Sequence, residues 1–383
     1  MWWDPKVEEY RREIRDFAER VVAPAGDRME EAGVFEPELL AELRQRRLLC
    51  LLCPTEYGGP GIDTLRYVVA VEELSRMCGS TGITVAAANS LGVYPVWLFG
   101  TEAQRHAVLP GTVTHGHIIS FGLTEPEAGS DAGGTKTTAV REGDGWVING
   151  SKCFITNPHL AEWIIATAVT QPGRGTKGIS SFLFHKDTPG FSVGKKENKM
   201  GLRGSDTATL HFDNMRLPAD AMLGPEGEGF RQFMKTLDGG RISIGAMALG
   251  LAQGAYETAV RYAAKRKQFG QAIAEFQAVQ WKLADMGTQI EAARHLVYNA
   301  AYLKDKGAPF ARQSAMAKLY ASEVGRFCTY QAIQVLGGAG YMSAGRVERQ
   351  FRDVKLCEIG EGTSEIQRIV ISRYILREFA SVV

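Results

Sequence analysis

An α+β fold, helical at both ends with a β region between, is predicted by three changes of texture along the 383 residues. Up to about residue 115, apolar residues recur three and four apart with charges between them. From about 116 to 228 they shorten to alternations broken by Gly, Pro, Asp and Asn, and from 229 the helical spacing returns in long runs. The implied domains are 1–115, 116–228 and 229–383. With 45% hydrophobic and 23% charged residues the chain can bury a substantial core, and its length suits two or three domains.

In the first region the spacing predicts helices over 7–22, 37–49, 64–77 and 103–109. In the second, Trp146-Val147-Ile148, Trp163-Ile164-Ile165-Ala166, Ser181-Phe182-Leu183-Phe184 and Thr209-Leu210-His211-Phe212 read as strands of a domain made of hairpins. In the third, helices are predicted over 230–237, 242–265, 276–303, 308–336, 347–357 and 364–379, lengths that suit a helical bundle. No repeat of 20–50 residues and no low-complexity tract interrupts this order.

Composition excludes several functions. With 44 basic and 43 acidic residues the net charge is +1, which offers nothing to nucleic acid or to an anionic membrane. The six cysteines are scattered, and Cys50-Leu51-Leu52-Cys53 lies in a leucine-rich run without a second pair, so all six read as reduced core residues. Met1-Trp2-Trp3-Asp4-Pro5 lacks a basic region followed by an apolar one, and no segment reads as the ~20 apolar residues of a membrane span, so a cytoplasmic protein is expected. A G-x-S-x-G elbow and a Walker A loop are absent, and His115-x-His117 is the nearest approach to metal spacing.

The most informative segment is Glu358-Ile359-Gly360-Glu361-Gly362-Thr363-Ser364-Glu365-Ile366-Gln367. A carboxylate between two glycines, ahead of a helix, is approachable by a substrate and reads as a catalytic base or as a complement to the helix dipole. Ser364 and Gln367 have the spacing of a capping box. Base chemistry near neutral pH would require a desolvating pocket to raise the Glu361 pKa. Phe121 to Asp131 forms a turn of small residues and hydroxyls where the helical and β regions meet, a place for a pocket. Phe154 and Thr156, two apart, share one strand face, where they either flank a flat heterocycle or, for Phe154, face the core. Lys265-Arg266-Lys267-Gln268-Phe269-Gly270 ends a long helix as a C-cap whose guanidinium and aromatic ring also suit pyrophosphate and adenine. Gln334 with Gly337-Gly338 offers a second close backbone approach.

In order and spacing these segments resemble the acyl-CoA dehydrogenase family of flavoproteins. The resemblance is carried by Leu123-Thr124-Glu125-Pro126 with Gly129-Ser130-Asp131, Ile155-Thr156-Asn157, Met200-Gly201-Leu202-Arg203-Gly204-Ser205, Arg266 with Phe269-Gly270, Gly337-Gly338-Ala339-Gly340-Tyr341 and Glu361-Gly362-Thr363. It implies a helical N-terminal domain, a β-barrel-like middle domain and a C-terminal four-helix bundle, assembled as a homotetramer (a dimer of dimers) with FAD between middle and C-terminal domains. On matching positions, Phe121, Leu123, Thr124, Ser130, Phe154 and Thr156 lie beside the flavin. Arg266, Phe269 and Gln277 with Gln334, Gly337 and Gly338 bind the adenosine diphosphate half across a subunit interface, near Thr363 and Glu365. Ser130, Asp238, Arg241 and Gly362 line the acyl-CoA channel. Glu361 removes the α-proton, the β-hydride passes to the flavin, and electrons go on to an electron-transfer flavoprotein. Gly240 stands where some branches carry the base instead, leaving Glu361 as the matching one. Gly360 replaces a common tyrosine and Phe154 a common tryptophan, and the arginine of glutaryl-type members is missing around Gly82. These departures favour a short or branched short acyl group. An acyl-CoA oxidase, a dehydrogenase of carrier-protein thioesters, and a non-catalytic flavin-fold binding protein are the competing readings.

Overall fold

The structure is a computed structural model that describes residues 4–380, so Met1–Trp3 of the chain-start reading lie outside the described residues. Helix α1 (Pro5–Phe17) begins at Asp4, whose side chain accepts from the Lys6 N–H, with Pro5 at the first helical position. It continues through a wide turn, Ala18–Val22, into α2 (Ala23–Ala32), which ends at left-handed Gly33. α3 (Pro37–Gln45) and α4 (Thr64–Met77) follow. α5 (Gly79–Ala87), a second wide turn (Ala88–Val93) and α6 (Tyr94–Phe99) then form one continuous helix that periodicity does not announce. Every residue from Gly79 to Ser90 is buried, so no polar face marks the period there. By length and composition the 21 residues are apolar enough to cross a membrane, which corrects the expectation that no segment is, but 72% of the span lies inside the protein as a core helix. α7 (Glu102–Thr114) starts with a complete capping box, Thr101 with Gln104.

The middle region is a seven-stranded curled sheet: β1 (Ile118–Gly122), β2 (Thr138–Glu142), β3 (Gly145–Thr156), β4 (Ala161–Val169), β5 (Ile179–His185), β6 (Phe191–Val193) and β7 (Thr207–Leu217). The expectation of hairpins holds for the β2–β3 pair but not for β1, which pairs with β4 in parallel. A parallel pair needs a crossover, and here β2 and β3 supply it. β3 is bulged twice against β7, between Ile148 and Gly150 and between Lys152 and Ile155.

Helix α8 (Gly229–Lys265) runs unbroken through Asp238–Arg241, where two shorter helices are predicted from the sequence. The Gly239-Gly240 pair looks like a break but lies inside a packed helix, and its missing side chains leave room for neighbours. A small hairpin, β8 (Lys267–Gln268) and β9 (Gln271–Ala272), leads to α9 (Gln277–Asp305), α10 (Ala311–Leu336), the short α11 (Gly338–Tyr341), α12 (Arg346–Val354) and α13 (Ser364–Ala380). α8, α9 and α10 pack on one another and α13 lies on α10.

The two helical regions share one hydrophobic core extending from Val7 to Cys357, with α4 seated on α8. Ion pairs stitch them together: buried Arg76 meets Glu73 and Glu257, and Arg294 reaches buried Glu72. The sheet has its own core, and a third cluster including Leu109, Ile119, Leu183 and Phe233 joins sheet to helices. The six cysteines are buried and free, as expected. Burial pushes the Cys50 thiol up to about 12 and the Cys53 thiol to about 11, which keeps them protonated.

Candidate active site

Glu361 stands in a loop between α12 and α13 with φ +56°, a left-handed conformation that a residue with a Cβ rarely adopts, followed by Gly362 at φ +93°. Side chains hold it there. Buried Lys318, from the middle of α10, donates to the carbonyl of Cys357 at 2.9 Å and to that of Gly362 at 2.7 Å. Ser322, one turn further on, donates to the Cys357 carbonyl at 2.8 Å. Gln367 Nε2 donates to the Gly362 carbonyl at 2.8 Å.

These bonds correct the capping box expected of Ser364 and Gln367. The cap is Thr363: its carbonyl accepts from the Gln367 N–H at 2.9 Å and its hydroxyl from the Ile366 N–H at 3.4 Å. Ser364 turns toward the Glu358 carbonyl, and the Gln367 amide turns to the loop carbonyls, joining Lys318 on Gly362 and reaching that of Glu361 at 3.4 Å.

The Glu361 carboxylate lies against Gly240 of α8, so closely that a Cβ added at 240 would collide with Oε2. This explains why the base and Gly240 occur together, since a side chain at 240 and the Glu361 carboxylate would fill the same space. Oε2 is sealed from solvent and makes no hydrogen bond. Burial raises the Glu361 pKa to about 7, against the opposing pull of Lys318 and Arg241. The desolvating pocket that base chemistry requires is therefore present. The Glu361 N–H also makes no hydrogen bond among the described residues, leaving a donor beside the carboxylate. Arg241 is buried and pairs with Asp238 at 2.6 Å. Ser243, which donates to the Gly240 carbonyl at 2.8 Å, lies 3.5 Å from Ser90, so hydroxyls adjoin the same notch.

The second group of candidates surrounds the edge of the sheet. The turn at Glu125–Ala128 is anchored by buried Lys152, whose ammonium donates to Glu125 at 2.7 Å and to the Leu123 carbonyl at 3.2 Å. That pair holds the Glu125 carboxyl down to about 2, while burial pulls Lys152 down to about 8. The Cys153 N–H donates to the Thr124 carbonyl at 2.8 Å, joining turn to strand. Phe154 does not face the core: the bulge puts it at φ +59° and turns its ring outward, 68% exposed. The hydroxyls of Thr124, Ser130 and Thr156 make no hydrogen bond among the described residues. Phe121, by contrast, is buried and stacks on Phe233 with ring centroids 3.8 Å apart, so its ring is committed to the core.

The third group is exposed. Arg266, Phe269 and Gln277 surround the β8–β9 hairpin, while Gln334, Gly337 and Gly338 end α10. No atom comes within 4 Å of where a Cβ would sit at Gly129, Gly337 or Gly338. Thr363 caps α13 and Glu365 is exposed in its first turn. An outward aromatic, three idle hydroxyls and open glycine backbone fit a flat heterocycle on a polyhydroxyl chain, the chemistry of FAD. His115 and His117 lie side by side, but no group of three metal-binding side chains occurs among the described residues.

Residues 4–115, 120–215 and 227–376 match family models described as the N-terminal, middle and C-terminal domains of acyl-CoA dehydrogenase. The chain belongs to the acyl-CoA dehydrogenase family. It is 49% identical over 368 residues to the probable acyl-CoA dehydrogenase YngJ of Bacillus subtilis, covering 96% of this chain and 97% of that one. It is 47% identical over 367 residues to a short-chain specific acyl-CoA dehydrogenase of Clostridium acetobutylicum, with the same coverage. Among solved structures, it resembles butyryl-CoA dehydrogenase of Megasphaera elsdenii at a TM-score of 0.95 and 42% identity, covering 97% of this chain and 98% of that one. A chain solved in work on the electron transferring flavoprotein of Acidaminococcus fermentans gives 0.96 and 44%, with 98% of each chain covered. A glutaryl-CoA dehydrogenase of Mycobacterium smegmatis in complex with FADH2 gives 0.92 and 29%, over 98% of this chain and 95% of that one. The protein is thus an acyl-CoA dehydrogenase family enzyme, and the helical–sheet–helical architecture expected from the resemblance is the family's own.

Residue-by-residue sequence reading missed Lys318, Gln367 as a loop anchor, and the hydroxyls of Ser90 and Ser243. A signal for Lys318 existed. Ser314, Lys318, Ala321 and Gly325 fall on one buried stripe of α10, and a lysine on an apolar stripe calls for a buried partner.

Proposed function

We propose that the enzyme oxidises a short or branched short acyl-CoA at its Cα–Cβ bond to the trans-2-enoyl-CoA, with Glu361 removing the α-proton. The observation that carries this reading is the Glu361 carboxylate in the Gly240 notch, with Oε2 sealed and unbonded and its pKa raised to about 7. A base near neutrality can take a proton at physiological pH and hold it, which is what a weakly acidic C–H next to a thioester demands. The free N–H of Glu361 would donate to the thioester carbonyl, stabilising the enolate-like charge that develops as the proton leaves. When bound, FAD supplies the acceptor for the β-hydride. Leu123, Thr124, Ser130, Phe154 and Thr156 would hold its flavin end, with Phe121 contributing backbone only. Arg266, Phe269, Gln277, Gln334, Gly337, Gly338, Thr363 and Glu365 would hold the adenosine end.

Ser130, Asp238, Arg241 and Gly362 would face the thioester and pantetheine, on a chain divided at 115/116 and 228/229. Absence of a side chain at Gly360 leaves space beside the base for a branched tail, and Gly82 is packed too tightly against Ser75 to be replaced by an arginine. The apolar residues exposed on α13, Ile375, Leu376 and Phe379, with Trp281 and Tyr330, support a homotetramer that covers them. Electron-transfer flavoprotein is the proposed acceptor, and the cytoplasm the proposed location.

The test is anaerobic titration of the yellow protein and of Glu361→Gln with butyryl-, isobutyryl- and glutaryl-CoA, followed by visible absorbance. The wild type should bleach with a short or branched substrate, and Glu361→Gln should bind it while reducing its flavin at least ~10³-fold more slowly. Equal bleaching of the two proteins would overturn the assignment of the base. Oxygen uptake on turnover would point to an oxidase, and a flavin that responds to no CoA thioester would point to a carrier-protein substrate or a binding role.

A further inference from the structure

Lys318 is a wholly buried cation that the proposed chemistry does not use. It sits in mid-α10, and its ammonium reaches two carbonyls that bracket the base: Cys357, four residues before Glu361, and Gly362, immediately after it. The Ser322 hydroxyl lies 2.8 Å from the same Cys357 carbonyl and 2.7 Å from the Lys318 carbonyl of its own helix, and shares its single proton between them. From the other side, Gln367 of α13 shares the Gly362 carbonyl. Both ends of the 357–362 loop are therefore fixed by donors on rigid helices, while Glu361 between them stands in left-handed backbone with its carboxylate in the Gly240 notch. A methionine of similar length would fill the space, but it would take one of the two donors from each carbonyl and loosen a conformation that the backbone does not prefer.

We propose that Lys318 is a positioning residue for the reaction: it locks the Glu361 loop so that the carboxylate occupies the Gly240 notch and the Glu361 N–H stays turned toward the substrate. This rests on Glu361 being the base. The charged and titratable groups facing that carboxylate are Lys318 from α10, Arg241 from α8 with its partner Asp238, and Tyr67 from α4, with Cys357 and Glu358 in the loop itself near Lys318. Of these, Lys318 alone combines a charge near the base with bonds to the loop that carries it. Its loss should both misplace the carboxylate and remove a cation that favours the anionic form.

The experiment is anaerobic rapid mixing of flavin-loaded wild type, Lys318→Met, Lys318→Gln and Glu361→Gln with butyryl-CoA between pH 6 and 9, recording flavin content, substrate affinity and the rate of flavin reduction. A displacement of about 1 Å costs about 100-fold, so Lys318→Met should reduce its flavin about 100-fold more slowly with flavin content unchanged and affinity within about threefold. Lys318→Gln, which restores donors but not charge, should recover part of that rate. In both variants the pH midpoint of reduction should move above that of the wild type, which a merely structural lysine would not cause. A wild-type rate and midpoint in Lys318→Met would overturn the proposal, as would the failure of both lysine variants to retain flavin, which would make Lys318 a core residue only. If Glu361→Gln reduces its flavin normally, the base assignment fails first; if that variant is inert while Lys318→Met is normal, only the present inference fails.

Discussion

The Glu361 loop and the β8–β9 hairpin both carry a non-glycine residue in left-handed backbone, Glu361 at φ +56° and Phe269 at φ +52°, yet they are built in opposite ways. The Glu361 loop is held by an ammonium, a hydroxyl and an amide on two helices, with one oxygen of its carboxylate sealed. Phe269 is 95% exposed and sets its ring edge-on to Phe276 at 6.1 Å. On the function proposed, the difference follows from the task. A group that takes a proton must be in place before the substrate arrives, because its error appears directly in the barrier. A group that grips the far half of a cofactor can wait for the cofactor and a second subunit to order it.

The contrast can be broken most sharply at Gly240. Gly240→Ala should lower the rate of flavin reduction about 100-fold by pushing the carboxylate out of its notch. Thermal unfolding of the same variant should show little loss, since alanine gains about 1 kcal/mol over glycine within a helix; an active Gly240→Ala enzyme would mean that the notch does not set the base. Next in size is a pH effect on stability. The Glu361 pKa is raised from an ordinary 4.5 to about 7, so the group's contribution is fully present below 4.5 and is lost as pH rises through 7. Above that, burying the anion costs about 3 kcal/mol. Urea unfolding should accordingly find Glu361→Gln more stable than the wild type at pH 8.5, with the gap closing toward pH 5. At the hairpin, Arg266→Ala or Phe269→Ala should each weaken FAD retention by about 10-fold while the flavin-loaded enzyme reduces at the normal rate; equilibrium dialysis and rapid mixing separate the two effects. The smallest effect expected is on the fold, with the melting temperature of Phe269→Ala within about 1 °C of the wild type because its ring packs on almost nothing.

How much of this was legible in the sequence depended on whether a residue's role is local. The α–β–α order, the strand cores and the Glu361 segment follow from spacing and glycine placement, and the family resemblance adds the cofactor. What stayed hidden is non-local. The 79–90 stretch of helix has no polar face because its surroundings are protein on all sides. α8 passes through Gly239-Gly240 because Glu361, more than a hundred residues away, fills the space beside Gly240. The outward turn of Phe154 depends on a bulge whose register is set by β7, and the cap moves from Ser364 to Thr363 because Gln367 is recruited by loop carbonyls. None of these can be read from a window of neighbours.

The single core shared by the two helical regions bears on how the chain is made. Arg11 bonds to Tyr298 across 287 residues of sequence, and the core that Tyr298 belongs to closes only when the stretch up to Cys357 has been added. A ribosome adding about 5–20 residues per second would leave the face of α4 that meets α8, and the core around it, incomplete for roughly 15–70 s. During that interval the sheet, which has its own core, can fold while the N-terminal helices wait. Chains released early, or stalled beyond the sheet, should therefore be the aggregation-prone species, and the N-terminal third the segment that a chaperone would be called on to shield.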